Sequence, residues 1–285
     1  MEKVVVTGGA GFIGSHLCEK LKNKYKVYSI DNYFTGNERN HVDGVTYIKG
    51  SASEIDKHIN FIPKDIYHLG EYSRVEQSFE DIEKVWEFNK LGIVGVLEFA
   101  RKTGAKIIYS GSSTKFGDGG LGRTQSPYAW SKASNTELVV NYGHWFDIPF
   151  AITYFYNVYG DREIRKGKYA TLIASFSEKM KNNEKLTVVK PGHQRRNFTH
   201  IEDIIDALML IGENGFGDEF GIGAEESYSI LEIAKMFGGE IELLEERKGN
   251  RMTADVMIAK TKSLGWKQKM NVEDYIKNMK NIGWE

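Results

Sequence analysis

The chain has 285 residues, 41% of them apolar and 27% charged, with 38 Lys and Arg against 39 Asp and Glu and a single cysteine, Cys18. This is enough chain for one large globular domain or a domain with an appended lobe. A net charge near zero without a clustered basic face argues against a nucleic-acid partner. No apolar run reaches the roughly 20 residues that span a bilayer, and a lone cysteine has no internal disulfide partner, which fits a reducing cytoplasm.

The N-terminus leads directly into KVVVTG, a short β-branched run ending in glycine that reads as a buried strand, so no signal peptide is expected. Phe12 to Leu21 reads as a helix, followed by strands at KVYSID, VTYIKG and DIYHLG. Residues 79–102 are helical in pattern, with Gly104 as the C-terminal cap. AKIIYSGSS is a fifth strand, SPYAWSK opens a helix running to about Phe146, and PFAITYFYNVYG is a sixth strand. Strands alternating with helices predict a parallel sheet covered on both faces. After Gly160 the pattern changes: a helix is expected at 169–182, IEDIIDALMLIGE is amphipathic, and EFGIG has the composition of one more strand returning to the sheet. SILEIAKMF and VEDYIKNMK read as two short helices around a charged middle. The expected division is residues 1–160 plus about 199–224 as a nucleotide-binding domain, with 161–198 and 225–285 as a smaller, discontinuous substrate lobe.

TGGAGFIG lies between the first strand and the first helix, with glycines at Gly8, Gly11 and Gly14 and Phe12 and Ile13 between them. Glycine permits a tight turn and lets a pyrophosphate approach the helix N-terminus, where free N–H groups and the dipole favour anions. The second strand ends in Asp31, placed to accept both hydroxyls of an adenosine ribose and to repel the 2′-phosphate of NADP; Asn32 beside it is neutral. The expected fold is therefore an α/β, doubly wound parallel sheet of the Rossmann type, and the expected cofactor is NAD.

Tyr128 and Lys132 are four apart in a helical stretch and share a face. A free tyrosine ionises near pH 10, about, so a phenol acting as a base near neutrality needs a nearby positive charge. Lys132 and an oxidised nicotinamide ring are two such charges.

TGGAGFIG, SPYAWSK, YHLGEYSRVEQS, YSGSSTKFG, TYFYNVYG, RRNFTHIEDIIDAL and TKSLGW, all in register, resemble extended short-chain dehydrogenases/reductases of the nucleotide-sugar epimerase/dehydratase group, UDP-glucose 4-epimerase-like, over nearly the whole chain. The resemblance implies a catalytic Ser112–Tyr128–Lys132 set, with Ser112 hydrogen-bonding the sugar oxygen at C4. It implies cofactor contacts from Gly8, Gly11, Phe12, Ile13, Gly14, Asp31, Asn32, Asn89, Tyr128 and Lys132. On the substrate side it implies that Ser112, Asn157, Arg196 and Arg247 bind a nucleotide-diphosphate sugar. Taken alone, Ser112 also reads as a turn serine, Asn157 as a strand-end residue, and each arginine as a solvated charge. Small residues at Thr253 and Ala254 hint at room for a bulky C2 substituent on the sugar. A homodimer through helices 79–102 and 128–146 is a further family expectation.

Family dehydratases and decarboxylases carry a glutamate where this chain has Thr114, and the dehydratases often an aspartate where it has Ser113. Without that acid pair, elimination of water lacks its chemistry, which points to C4 epimerisation. The alternatives are a 4-keto-sugar reductase or dehydrogenase on the same scaffold, and a non-catalytic dinucleotide-binding protein. Other departures are Ser51 for an adenine-contacting Asp, Gly70 and Glu71 for two small residues, Asn197 for an Asp, Asp161 for a Pro, and Lys115, long enough to reach the active site, for a small apolar residue. Glu71 reads either as a buried acid near the nicotinamide or as a side chain pointing away. His68 reads as a core histidine, and His193, His200 and Cys18 show no metal-ligand spacing, so no metal is expected.

Overall fold

The computed structural model describes residues 1–116, 118–245 and 256–284. Six strands, β1 (Lys3–Thr7), β2 (Lys26–Asp31), β3 (Thr46–Lys49), β4 (Asp65–His68), β5 (Lys106–Ser112) and β6 (Phe150–Phe155), are joined by Gly217–Ile222 in one seven-stranded sheet. Every pairing in it is parallel, and the order is Gly217–Ile222, β6, β5, β4, β1, β2, β3. Such a sheet needs cover on both faces, which explains why its strands read as continuous apolar runs. Val4 and Val6 of β1 pack with Leu17, Leu21, Ile204 and Leu208, whereas Val5 joins Ile66, Ile107, Ile93 and Val96 in a separate cluster.

The flanking helices in the first half are α1 (Phe12–Leu21), α2 (Ile55–His58), α3 (Ile82–Val85), α4 (Gly92–Thr103) and α5 (Pro127–Phe146). The expected single helix over 79–102 is instead α3, a π-helical turn at Trp86–Leu91, and α4, which ends on Gly104 in the left-handed conformation at φ 72°. The wide turn coincides with Asn89, whose side chain faces inward to bond the Tyr72 backbone and Ser131. Apolar periodicity does not report such a widening. The amphipathic helix is Ile201–Asn214, and the helix expected at 169–182 spans Leu172–Lys181.

A third apolar cluster gathers Tyr159, Phe176, Leu186, Phe198, Ile233, Phe237, Ile276 and Trp284. Its small parallel ladder, Leu186–Val189 with Ile241–Leu244, was not foreseen from sequence. Asp203 ties the C-terminal segment down by accepting from the backbone N–H groups of Lys269 and Met270 at 3.0 and 3.1 Å, and its carbonyl accepts from the Trp266 indole. The Asp203 and Trp266 motifs thus act as structural ties.

Candidate active site

The strand order reverses between β1 and β4, and a doubly wound sheet opens its binding crevice at that switch point. There, Gly8 adopts φ 76°, a conformation that favours glycine, and a Cβ on it would lie 2.8 Å from Gly70 Cα. A Cβ on Gly14 would lie 2.1 Å from the Gly8 carbonyl oxygen. Gly11 caps α1 with no side chain to occupy the helix N–H groups, leaving an anion-accepting end. A cleft of about 740 Å³ runs from this turn past Asp31 to the third apolar cluster.

Gly8, Gly11, Phe12, Ile13, Gly14, Asp31, Asn32, Ser112, Tyr128, Lys132, Asn157 and Arg196 all line that one cleft. Asp31 is buried and accepts from Ala10 N–H at 2.9 Å and Tyr33 N–H at 2.8 Å. Burial raises its pKa against those two donors, and each oxygen keeps a lone pair for a ribose hydroxyl. Asn32 accepts from Phe34 N–H. Asn157, at φ 37°, donates to the Asn197 carbonyl, while the Asn197 amide donates to the carbonyls of Ala224, Glu225 and Glu226. Arg196 pairs through its strand with Tyr228, and one guanidinium nitrogen donates to the Arg195 carbonyl. Arg247, Thr253 and Ala254 lie outside the described residues.

Helix α5 starts where chain chemistry dictates: Ser126 caps it by accepting from Ala129 N–H, with Pro127 in the first turn. Tyr128 is thereby set half-buried at the cleft, with Lys132 one turn deeper and only 5% exposed in its side chain. Ser112, at the end of β5, shares a 2.9 Å hydrogen bond with the Thr114 hydroxyl. Thr114 and Ser113 also line the cleft, so hydroxyl groups stand where an acid pair would be needed for elimination.

The Lys132 ammonium donates to Glu71 Oε2 at 2.5 Å and to the Ser110 carbonyl. Glu71 is therefore a buried acid of the cleft and does not point away. Its carboxylate also accepts from the Tyr109 phenol and the Asn135 amide, both at 3.0 Å. Burial alone would raise the Glu71 pKa, but Lys132 and His68 outweigh it and hold the carboxyl well below the usual range. Burial and the adjacent carboxylate keep Tyr109 protonated as a donor. His68 is a core residue, as expected, and its Nε2 lies 3.4 Å from Glu71 Oε1.

Two expectations are corrected. Asn89 does not line the cleft; its amide is spent on Tyr72 and Ser131, so it shapes the wall from behind. Lys115 does not reach the active site, because its ammonium is bound to Asp218 at 3.2 Å and to the Tyr154 hydroxyl at 3.1 Å. Conversely, sequence reasoning missed Arg74 and Glu163. Arg74 lines the cleft and donates from Nε and Nη2 to the Tyr169 carbonyl. Burial lowers its pKa, opposed first by nearby Tyr128. Glu163 accepts from Gly160 N–H, while its Oε1 is buried without a hydrogen-bond partner among the described residues. Neither residue sits in a pattern with a chemical reading of its own. Among the described residues no group of three or more His, Cys, Asp or Glu side chains could hold a metal ion, and no helix is long and apolar enough to cross a membrane.

Residues 4–223 match the NAD dependent epimerase/dehydratase family. A Methanocaldococcus jannaschii protein provisionally named a UDP-glucose 4-epimerase is 31% identical, covering 98% of this chain and 97% of its own. UDP-glucuronic acid decarboxylase 6 of Arabidopsis thaliana is 28% identical over 95% of this chain and 86% of its own. The crystal structure of Thermotoga maritima UDP-glucose 4-epimerase with UDP-glucose superposes with a TM-score of 0.89 at 26% identity, covering 96% of each chain. On its glycine turn, its sheet and these relatives, the chain belongs to the NAD-dependent epimerase/dehydratase family of enzymes.

Proposed function

We propose that the protein inverts C4 of a nucleotide-diphosphate sugar, of the UDP-glucose/galactose type, through a 4-keto intermediate. The observation that carries this reading is the convergence of Ser112, Tyr128 and Lys132 on the cleft of the glycine turn, with Thr114 and Ser113 in place of an acid pair. The decarboxylase relatives share the scaffold; the missing carboxylates favour epimerisation.

In this reading Gly8, Gly11 and Gly14, with Phe12 and Ile13, hold the pyrophosphate of NAD at the α1 terminus, and Asp31 and Asn32 hold its adenosine ribose. Bound NAD supplies the acceptor, and later the donor, of the hydride at sugar C4. Tyr128 takes the proton of the C4 hydroxyl and returns it, Ser112 shares that hydrogen bond, and Lys132 orients the nicotinamide ribose and supplies positive charge near the phenol. Arg196, Asn157 and Arg247 bind the sugar diphosphate, Arg196 by the bidentate donors that suit phosphate. The third apolar cluster, which apart from Tyr159 is drawn from 161–198 and 225–285, is the core of the substrate lobe. Leu91, Val94, Trp86 and Trp130 expose apolar surface on α3 through α5, and the two tryptophans stack at 5.4 Å; we assign this face to a homodimer.

The test is to incubate the purified protein with UDP-, GDP- and dTDP-sugars, adding no cofactor, and to follow the C4 configuration by NMR. Inversion without net NADH change is expected, and Tyr128→Phe should abolish it. Conversion that occurs only when NADH is added, with its stoichiometric consumption, would instead establish a reductase, and binding without turnover a non-catalytic protein.

A further inference from the structure

Lys132 carries a full positive charge into a cleft that has to admit the cationic ring of oxidised NAD. Unopposed, that ammonium would disfavour the oxidised cofactor relative to NADH, whose ring is neutral. The structure supplies the opposing charge. The Glu71 side chain is 2% exposed, lines the cleft, and receives a converging set of donors. From α5 come the Lys132 ammonium at 2.5 Å and the Asn135 amide at 3.0 Å; from β5 comes the Tyr109 phenol at 3.0 Å. On β4, His68 Nε2 lies 3.4 Å from Glu71 Oε1 without forming a hydrogen bond. The Thr7 hydroxyl lies 2.7 Å from His68 Nδ1, and when it donates there the imidazole carries its proton on Nε2, facing Glu71. Lys90, on the π-helical turn, is one residue further out, donating to Asn135 Oδ1 at 2.8 Å and to Ser134. Asn135 thus bridges Lys90 to the carboxylate, fixing the Glu71 rotamer from behind.

We propose that Glu71 is a positioning residue for Lys132 and the group that biases the cleft toward oxidised over reduced NAD. With Glu71 ionised, the Lys132–Glu71 pair is neutral as a unit, and the carboxylate offsets the ammonium for any cation entering beside it. The pair also fixes where the ammonium sits, because Glu71 and the Ser110 carbonyl grip it from two sides. A cleft biased in this way favours the oxidised state from which hydride abstraction starts. The inference rests on reading this cleft as the dinucleotide site and not on the sugar chemistry proposed for it.

The experiment contains no sugar, so it is independent of the epimerase assignment. The full-length protein is equilibrated with a fixed mixture of NAD and NADH, and the reduced share of the bound cofactor is read from NADH fluorescence against total bound nucleotide. Glu71→Gln should raise the bound NADH-to-NAD ratio about tenfold, and Lys132→Gln, which leaves the carboxylate unopposed, should lower it. Glu71→Gln/Lys132→Gln should return toward the wild-type ratio. A folded Glu71→Gln protein with an unchanged ratio overturns the proposal and leaves the ion pair a stability feature. Should Glu71→Gln fail to fold, Glu71→Gln/Lys132→Gln is compared with Lys132→Gln: a higher ratio in the double variant supports the proposal and an equal one overturns it.

Discussion

Two lysine–carboxylate pairs, each sharing a tyrosine hydroxyl, are reached from the same strand, β5. In the first, Lys132, Glu71 and Tyr109 lie inside the cleft, with lysine and glutamate side chains 5% and 2% exposed and 2.5 Å apart. In the second, Lys115, just past the end of β5, meets Asp218 and the Tyr154 hydroxyl of β6, with lysine and aspartate side chains 30% and 26% exposed and 3.2 Å apart. The chemistry is nearly the same and the dielectric setting is not. Water screens the outer pair and weakens its attraction. The inner pair has exchanged its hydration for two protein donors, Tyr109 and Asn135, and the Ser110 carbonyl, so each charge depends on the other.

The sharpest break of this comparison is Lys132→Met. It strands the Glu71 carboxylate in the interior and should cost about 3–5 kcal/mol in urea unfolding at neutral pH. Adding Glu71→Gln removes the stranded charge while its one carbonyl oxygen keeps an acceptor for either Tyr109 or Asn135, so the double variant should recover about half of that loss. A double variant no more stable than Lys132→Met alone would mean that volume, not charge, is what the site requires.

Glu163 sharpens the comparison from the other direction, as a cleft carboxylate without a lysine partner among the described residues. Burial raises its pKa to about 7, against the nearby Thr171 hydroxyl, the Gly160 N–H and the Arg165 and Arg74 charges. The folded state thus holds this proton more tightly than the unfolded chain, whose glutamate titrates near 4.5. Stability from this group falls as pH rises from about 4.5 to about 7 and is level above that. Glu163→Gln should shrink the loss of unfolding free energy between about pH 5 and pH 8 by about 2 kcal/mol. An identical loss in both proteins would show that Glu163 ionises normally.

How far the sequence could be read follows the same physics. Strands buried on both faces announce themselves through unbroken Val and Ile runs, and the glycine turn announces itself because few other residues fit where Gly8 meets Gly70. Local spacing placed Tyr128 and Lys132 together because four residues is one helical turn. Glu71 is 61 residues from Lys132, and nothing local shows that β4 and α5 bring the two together. Asn89 was placed on the right segment, but the π-helical turn sends its amide into the wall. Lys115 was misplaced because its partner, Asp218, arrives on the last strand added to the sheet. The elements were legible, and so was chemistry carried by short motifs; pairing across the sheet was not.

That leaves the outer pair as the control. Lys115 lies outside the cleft, and its ammonium is held by one partly exposed carboxylate and one buried phenol. Burial and Asp218 hold Tyr154 protonated, so its hydroxyl still donates to Asp218 at 2.6 Å when the lysine is removed. Asp218 remains partly solvated, so no stranded interior charge results. Lys115→Ala should therefore cost under about 1 kcal/mol, with most of that lost by about 1 M salt in the wild type because screening weakens the pair it removes. Its kcat/KM on the sugar that proves to be the substrate should match wild type, and its bound NADH-to-NAD ratio should not move. A loss approaching that of Lys132→Met would show that the outer pair is coupled through β5 to the cleft, and that exposure alone does not separate the two.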